Sequence, residues 1–225
     1  LYTKLLDRFH ENQRLDIINQ DFLEFPLLDS QYKVFSNIPF RSSSEIVRKL
    51  VFDKNPPTDT YLFFQEDAAK HLISRSLMSI LVGVNFKVTI IHHFKSEDFV
   101  PVPNVSVVLM RIEKIEPRIE EEYQNSFKDF VTYFYNQTKH SISDSFGKVI
   151  GKEKINNLAQ QKKFSYKLKP SELRIENWIA IFEYFTKNNP EFLEKIEGTY
   201  LKLQTQQKKL EKIHRTRKDK EWRSK

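Results

Sequence analysis

The string Asn37-Ile38-Pro39-Phe40 brings an amide, a backbone carbonyl, a stiff turn and a flat ring into four consecutive residues. That set suits methyl transfer to an exocyclic amine of a nucleobase. Adenine N6 is a poor nucleophile because its lone pair is delocalised into the ring. An enzyme acting on it has to hold both N–H groups with acceptors and aim the nitrogen at a methyl donor. The Asn37 side-chain carbonyl and the Ile38 backbone carbonyl can supply those acceptors. Pro39 fixes its own φ, and Phe40 offers a face on which an extruded base stacks. The same string also serves as an ordinary turn after a strand, so its company matters. Asp21, 16 residues earlier, is placed to accept from the amino group of an adenosyl cofactor. An Asp there equally serves as a strand-terminating turn residue.

These residues need a frame to position them. Leu1, Leu5, Leu6 and Phe9 share one helical face. Residues 14–19 and 32–36 read as strands, with Asp21 and Asn37 just past their carboxyl ends. The helix after the tetrad has Ser42 to Ser44 available as caps and Ile46, Val47, Leu50 and Val51 on its apolar face. Tyr61-Leu62-Phe63-Phe64 reads as a strand buried on both faces. A helix from about Glu66 to Leu81 follows, then strands over residues 86–93 and 105–112. This alternation predicts an α/β sheet over residues 1–115, with ligands at strand carboxyl ends. Beyond Pro117, Phe127, Phe130, Val131 and Phe134 repeat at helical spacing, as do Trp178, Phe182 and Phe185, and both clusters read as core. This predicts a small all-helical domain over 116–201, interrupted at Lys169-Pro170-Ser171, where Ser171 is available to cap a helix.

Composition narrows the function classes. The chain has 225 residues, no cysteine and a formal net charge of +7. Disulfides, thiolate zinc sites and a Cys nucleophile are excluded. The six histidines show no metal spacing, and alternation along a strand sends the adjacent His92 and His93 to opposite faces, so no metal is expected and the histidines read as structural. No apolar run is long enough to span a membrane, and a soluble cytoplasmic monomer is the expectation. The four glycines stand at 83, 147, 151 and 198, which leaves no glycine-rich phosphate or nucleotide turn. Residues 202–225 hold ten basic and three acidic residues, so the rest of the chain is neutral and the surplus sits in a basic tail. That tail suits attachment to a polyanion, and equally a solvated extension.

The sequence resembles the Erm rRNA adenine N6-dimethyltransferases over residues 1 to 200. The resemblance rests on Gln20-Asp21-Phe22, Ser36-Asn37-Ile38-Pro39-Phe40, Glu45 to Lys49 and Gln65-Glu66-Asp67-Ala68-Ala69-Lys70. It continues through Phe99-x-Pro101-x-Pro103-x-Val105, Pro170-Ser171 and Glu176-Asn177-Trp178. It implies a Rossmann-like S-adenosylmethionine-dependent methyltransferase core followed by the helical domain. It also implies 23S rRNA as substrate and macrolide-lincosamide-streptogramin B resistance as the consequence. Asp21 and Phe22 would then hold the cofactor adenine. Asn37 would lie near the sulfonium methyl and accept from the target amine, and Phe40 would stack on the target base. Arg48, Lys70 and Arg75 match positions that contact RNA, and Pro101 and Pro103 would shape the loop beside the target.

The family's glycine-rich loop and the acidic residue after its second strand do not occur here, so the chain is expected to lack an N-terminal third. Phe40 stands where many relatives carry Tyr, and Val107 where a small polar residue is frequent. Two other readings stay open. One is the related small-subunit rRNA dimethyladenosine transferase, from which Ile38, Phe40 and the Trp178 region lean away. The other is a noncatalytic RNA-binding protein of the same fold.

Overall fold

The computed structural model describes residues 1–137 and 140–209, and the last stretch of the basic tail, 210–225, lies outside them. The described chain forms two compact units, one of residues 1–74 and 82–117, the other of residues 75–81 and 118 onward.

The first unit is built on four strands, β1 (Lys33–Asn37), β2 (Asp59–Gln65), β3 (Phe86–His93) and β4 (Val107–Lys114), in the order β1-β2-β4-β3. β1 pairs parallel with β2, and β4 runs antiparallel to both β2 and β3. One sheet face is closed. Leu62, Phe64, Val108, Met110 and Ile112 on it are at most 2% exposed. Val47 and Leu50 of α2 (Ser43–Phe52) and Ala69 of α3 (Glu66–Ile73) are equally buried. Full burial of such a side chain contributes roughly 1.5–3 kcal/mol.

The other face is open, which corrects the expectation that residues 61–64 are buried on both sides. Tyr61 and Phe63 are only half-buried and Phe35 is 69% exposed. These rings lean on one another, Phe35 standing 5.7 Å from Phe63 and 6.5 Å from Tyr61. Beside them, the Arg111 guanidinium donates through Nε (2.8 Å) and Nη2 (2.6 Å) to Asp59 Oδ1. Lys33 adds a second cation 3.4 Å from the same carboxylate.

Three further expectations fail for physical reasons. Residues 14–19 form no strand, because nothing in the sheet pairs with them, and Leu15 and Ile18 stay exposed. The helix expected from Glu66 to Leu81 breaks after Ile73 and restarts as α4 (Leu77–Val82); Ser76 Oγ accepts from the Ser79 N–H at the restart. Ser171 caps no helix. It sits in a short turn, and α8 (Ile175–Asn188) starts with the Asn177 carboxamide accepting from the Arg174 N–H. The first helix, α1 (Tyr2–Phe9), forms as its spacing predicts but buries none of its residues.

The second unit is helical, with α5 (Gln124–Tyr135), α6 (Ile142–Ile150), α7 (Lys152–Gln161), α8, α9 (Pro190–Lys195) and α10 (Thr199–Lys209). Phe130 is its hub, its ring centroid 4.9–6.2 Å from those of Phe134, Phe146, Trp178, Phe182 and Phe185. The Asp129 carboxylate accepts from the N–H groups of Gly198 (2.9 Å) and Tyr200 (2.8 Å), neutralising orphan donors where α10 begins. Gly198 has φ +78, so glycine suits that turn.

Phe130→Ala is expected to cost about 3–5 kcal/mol in urea unfolding, because five ring neighbours cannot all collapse into the hole, and Phe35→Ala less than about 1 kcal/mol. Arg111, ahead of Lys33, holds the Asp59 carboxyl below the ordinary range. The stability this gives is full at neutral pH, fades as pH falls below the ordinary Asp value of about 3.9, and is gone below the depressed folded value. Acid unfolding of Asp59→Asn should lose that component of its pH dependence.

Candidate active site

Parallel pairing of β1 with β2 puts both carboxyl ends on one edge of the sheet, and antiparallel β4 adds its amino end. The carboxyl end of β3 arrives there as well, with His93 opposite Val108. Three connections therefore converge on this edge, after Asn37, after Gln65 and between His93 and Val107.

The tetrad occupies the first connection. Asn37 ends β1 exposed, on the same face as Phe35 and in register with Phe63, and its carboxamide takes no partner among the described residues. Ile38 turns its side chain into the core, at 5% exposed, while Pro39 and Phe40 on the other side of it stay outside. The chain then closes a turn in which Pro39 O accepts from the Ser42 N–H at 3.0 Å. Phe40 O accepts from the Ser43 N–H and from Ser43 Oγ at 2.9 Å. None of these three bonds uses the Ile38 carbonyl. The expected cap on α2 is thus made differently: Ser42 makes no side-chain cap bond, and Ser43 serves the Phe40 carbonyl. Phe40 is 36% exposed.

Asp21 stands not at a strand end but in an Asx turn, its Oδ1 accepting from the Leu23 N–H at 2.8 Å. Lys49 of α2 ties this turn down. Its ammonium donates to Leu23 O at 3.0 Å and lies 5.9 Å from the Phe22 ring centroid. The helix that follows the tetrad thereby holds the Asp21-Phe22 segment against the same unit. Sequence reasoning gave Lys49 no role, and its only signal was its place in the Glu45 to Lys49 string.

An aromatic group at the same edge was also missed. Phe63 stacks on Phe94 at 5.0 Å and 25°, and Phe99 stands edge-on to both at 6.2 and 5.4 Å. His92 meets Phe94 at 4.6 Å and 75°. These rings come from β2 and the connection after β3, about 30 residues apart in sequence, and no periodicity links them. Pro101 and Pro103 follow Phe99 in this connection, where the Val100–Pro101 peptide bond is cis.

The basic residues separate. Lys70 pairs with Glu66 at 2.8 Å, and Glu66 lies 3.7 Å from His93 Nδ1. The Lys70 ammonium, ahead of the other groups around it, holds the Glu66 carboxyl below its ordinary range, and Lys70 is raised in turn. Arg48 is half-buried on α2. Arg75 is exposed but belongs to the second unit. β3 carries an irregularity between Ile90 and His92, so simple alternation does not describe the two histidines. Among the described residues no group of three His, Asp or Glu side chains is placed to hold a metal ion, and no helix is long and apolar enough to cross a membrane.

The profile for ribosomal RNA adenine dimethylases matches residues 1–187. The chain belongs to that family. An rRNA adenine N-6-methyltransferase of Escherichia coli is 25% identical over 163 residues, 71% of this chain, which spans 66% of that relative's length. A ribosomal RNA small subunit methyltransferase A of Campylobacter fetus is 24% identical over 194 residues, 81% of this chain and 72% of the relative. Among solved structures, the 23S rRNA methyltransferase ErmE superposes with a TM-score of 0.72 at 16% identity, over 81% of this chain and 76% of that one. A dimethyladenosine transferase from Plasmodium falciparum gives 0.60 at 16% identity, over 83% and 78%. These likenesses give this chain the Rossmann-like methyltransferase fold with helices at its carboxyl-terminal side.

Titration of the Glu66 carboxyl by NMR should give a midpoint below that of an ordinary Glu, and Lys70→Ala should move the midpoint upward.

Proposed function

We propose that this chain carries the target-base side of an S-adenosylmethionine-dependent rRNA adenine N6-dimethyltransferase acting on one adenine of 23S rRNA. Macrolide-lincosamide-streptogramin B resistance is the consequence of that modification. The observation that carries this reading is the exposed, unpartnered Asn37 carboxamide at the end of β1, next to a Pro39 turn that leaves Phe40 partly exposed. Family membership and the rRNA methyltransferase names of the relatives support it. Ile38 and Phe40 favour the 23S reading, because the small-subunit relatives prefer a Leu-Pro-Tyr tetrad. The small-subunit reading keeps the support of the Campylobacter fetus relative.

The residues present fit part of the cofactor. Asp21 retains a second carboxylate oxygen beside the one its turn uses, in reach of solvent, and Phe22 supplies an apolar ring next to it. These two would hold the adenine ring, and Asn37 the methyl-bearing end. S-adenosylmethionine supplies an electrophilic methyl group on a sulfonium. Asn37 Oδ1 and Ile38 O accept the two N6–H bonds and fix the direction of the nitrogen lone pair. Phe40 holds the extruded base by stacking, worth about 1–3 kcal/mol per base. No carboxylate acts as general base, because the amine proton leaves to water once the new bond has formed. Positioning therefore supplies most of the rate. Arg48, Lys70 and Arg75 would contact phosphates, Lys70 from within its Glu66 pair, and the protein would act as a cytoplasmic monomer.

In the full-length protein, tritiated methyl should pass from the cofactor to protein-free 23S rRNA and not to small-subunit rRNA. The opposite preference would select the small-subunit reading, and transfer to neither would leave a noncatalytic RNA binder. Asn37→Ala should abolish transfer with RNA affinity within about twofold of wild type. Phe40→Ala should lower transfer by one to two orders of magnitude, roughly one stacking contact, and Phe40→Tyr should retain it.

A further inference from the structure

Ser145, Lys148 and Val149 lie three and four residues apart on α6 and so share one side of that helix. Together with Tyr133, Asn136, Gln137 and His140, from the last turn of α5 and the chain after it, they line a depression of about 460 Å³. Among the described residues its wall carries one ammonium and one imidazole and no carboxylate. Lys148 and His140 are both exposed. Ser145 is the opposite, 1% exposed, and its hydroxyl has no hydrogen-bond partner among the described residues. Folded proteins rarely leave a buried hydroxyl unpaired, and one that borders a cavity points to something that fills it.

The remaining walls narrow the class of occupant. The Tyr133 ring is 38% exposed and stands nearly perpendicular to Phe134 (5.0 Å, 87°) and Phe192 (5.6 Å, 78°), which fix its orientation. Asn136 Nδ2 gives one of its two N–H bonds to Thr132 O at 3.0 Å, and the Gln137 carboxamide stands beside it on the wall. A bare phosphate would leave most of this volume empty. An aromatic ring, a carboxamide, an ammonium and an imidazole together match one nucleotide.

We propose that this depression holds a single nucleotide of the RNA substrate. Its phosphate lies between Lys148 and His140, its base rests against Tyr133 and Gln137, and the Ser145 hydroxyl at the floor donates to it. The inference rests on the reading that rRNA is the substrate. It adds a contact on the helical unit, which contains no residue of the tetrad. A phosphate contact there positions the RNA without reading its sequence.

The test is fluorescence anisotropy of a labelled rRNA fragment against the full-length protein over a range of salt. Lys148→Ala combined with His140→Ala should weaken binding roughly fivefold to twentyfold and lower the slope of log affinity against log salt by about 0.7 for the ammonium lost. Tyr133→Leu, which alters no charge, should weaken binding several-fold with the slope unchanged. Lys162→Ala, removing an exposed cation outside the depression, should change affinity less than twofold. Thermal unfolding of each variant shows whether the helical unit is intact. Wild-type affinity in the double variant and in Tyr133→Leu overturns the proposal, as does an equal loss in Lys162→Ala, which would mean undirected charge attraction. Methyl transfer to rRNA measured on the same wild-type preparation separates the two ideas. If there is none, the functional reading fails. Normal transfer with unchanged binding by the depression variants sinks this inference alone.

Discussion

The parallel ladder between β1 and β2, with Asn37 in register with Phe63, is the constraint on which the candidate active site depends. It sends both strands to the same edge and sets the Asn37 side chain on the face that carries Phe35 and Phe63. A slip of one residue would turn Asn37 toward the core and Ile38 toward solvent. The closed face resists such a slip, because Val34 and Ile38 on the β1 side would have to leave it. Precision at a polar carboxamide is thus secured by apolar packing on the reverse side of the sheet.

The two faces divide the work. The closed face supplies stability through burial. The open one is held by directional contacts, the Arg111–Asp59 hydrogen bonds at one end and a chain of ring contacts from Tyr61 through Phe35 and Phe63 to Phe94 and Phe99 at the other. The aromatic end of that face adjoins the edge where the tetrad lies. Under the proposed function, the site that would accept a flat base is in this way flanked by rings already fixed by one another, which would lower the ordering cost of binding.

The helical unit is organised differently. Its core is a cluster of phenylalanines and Trp178 around Phe130, and non-directional burial sets the helix packing. Its polar devices sit at helix ends, such as the Asp129 carboxylate at the start of α10 and the Asn177 carboxamide at the start of α8. The depression beside α6 departs from this pattern, combining a buried hydroxyl with an exposed ammonium and an exposed imidazole.

Much of the frame was legible in the sequence. The strand over residues 86–93, the helix after the tetrad and the helical spacing of Phe127, Phe130 and Phe134 follow from local periodicity, which depends only on neighbouring residues. The place of Asn37 to Phe40 in a turn at a strand end was equally legible, because four adjacent residues specify it. What the sequence left open depends on partners distant along the chain. Residues 14–19 have strand-forming composition and no ladder to join. Tyr61 and Phe63 read as buried until the packing leaves one face of their strand open. The pairing of Lys70 with Glu66 is another feature that shows only in the fold. The order of the strands, the rings that meet at the site and the tie from Lys49 to Leu23 were decided by the tertiary structure alone, since each joins segments that no local pattern connects.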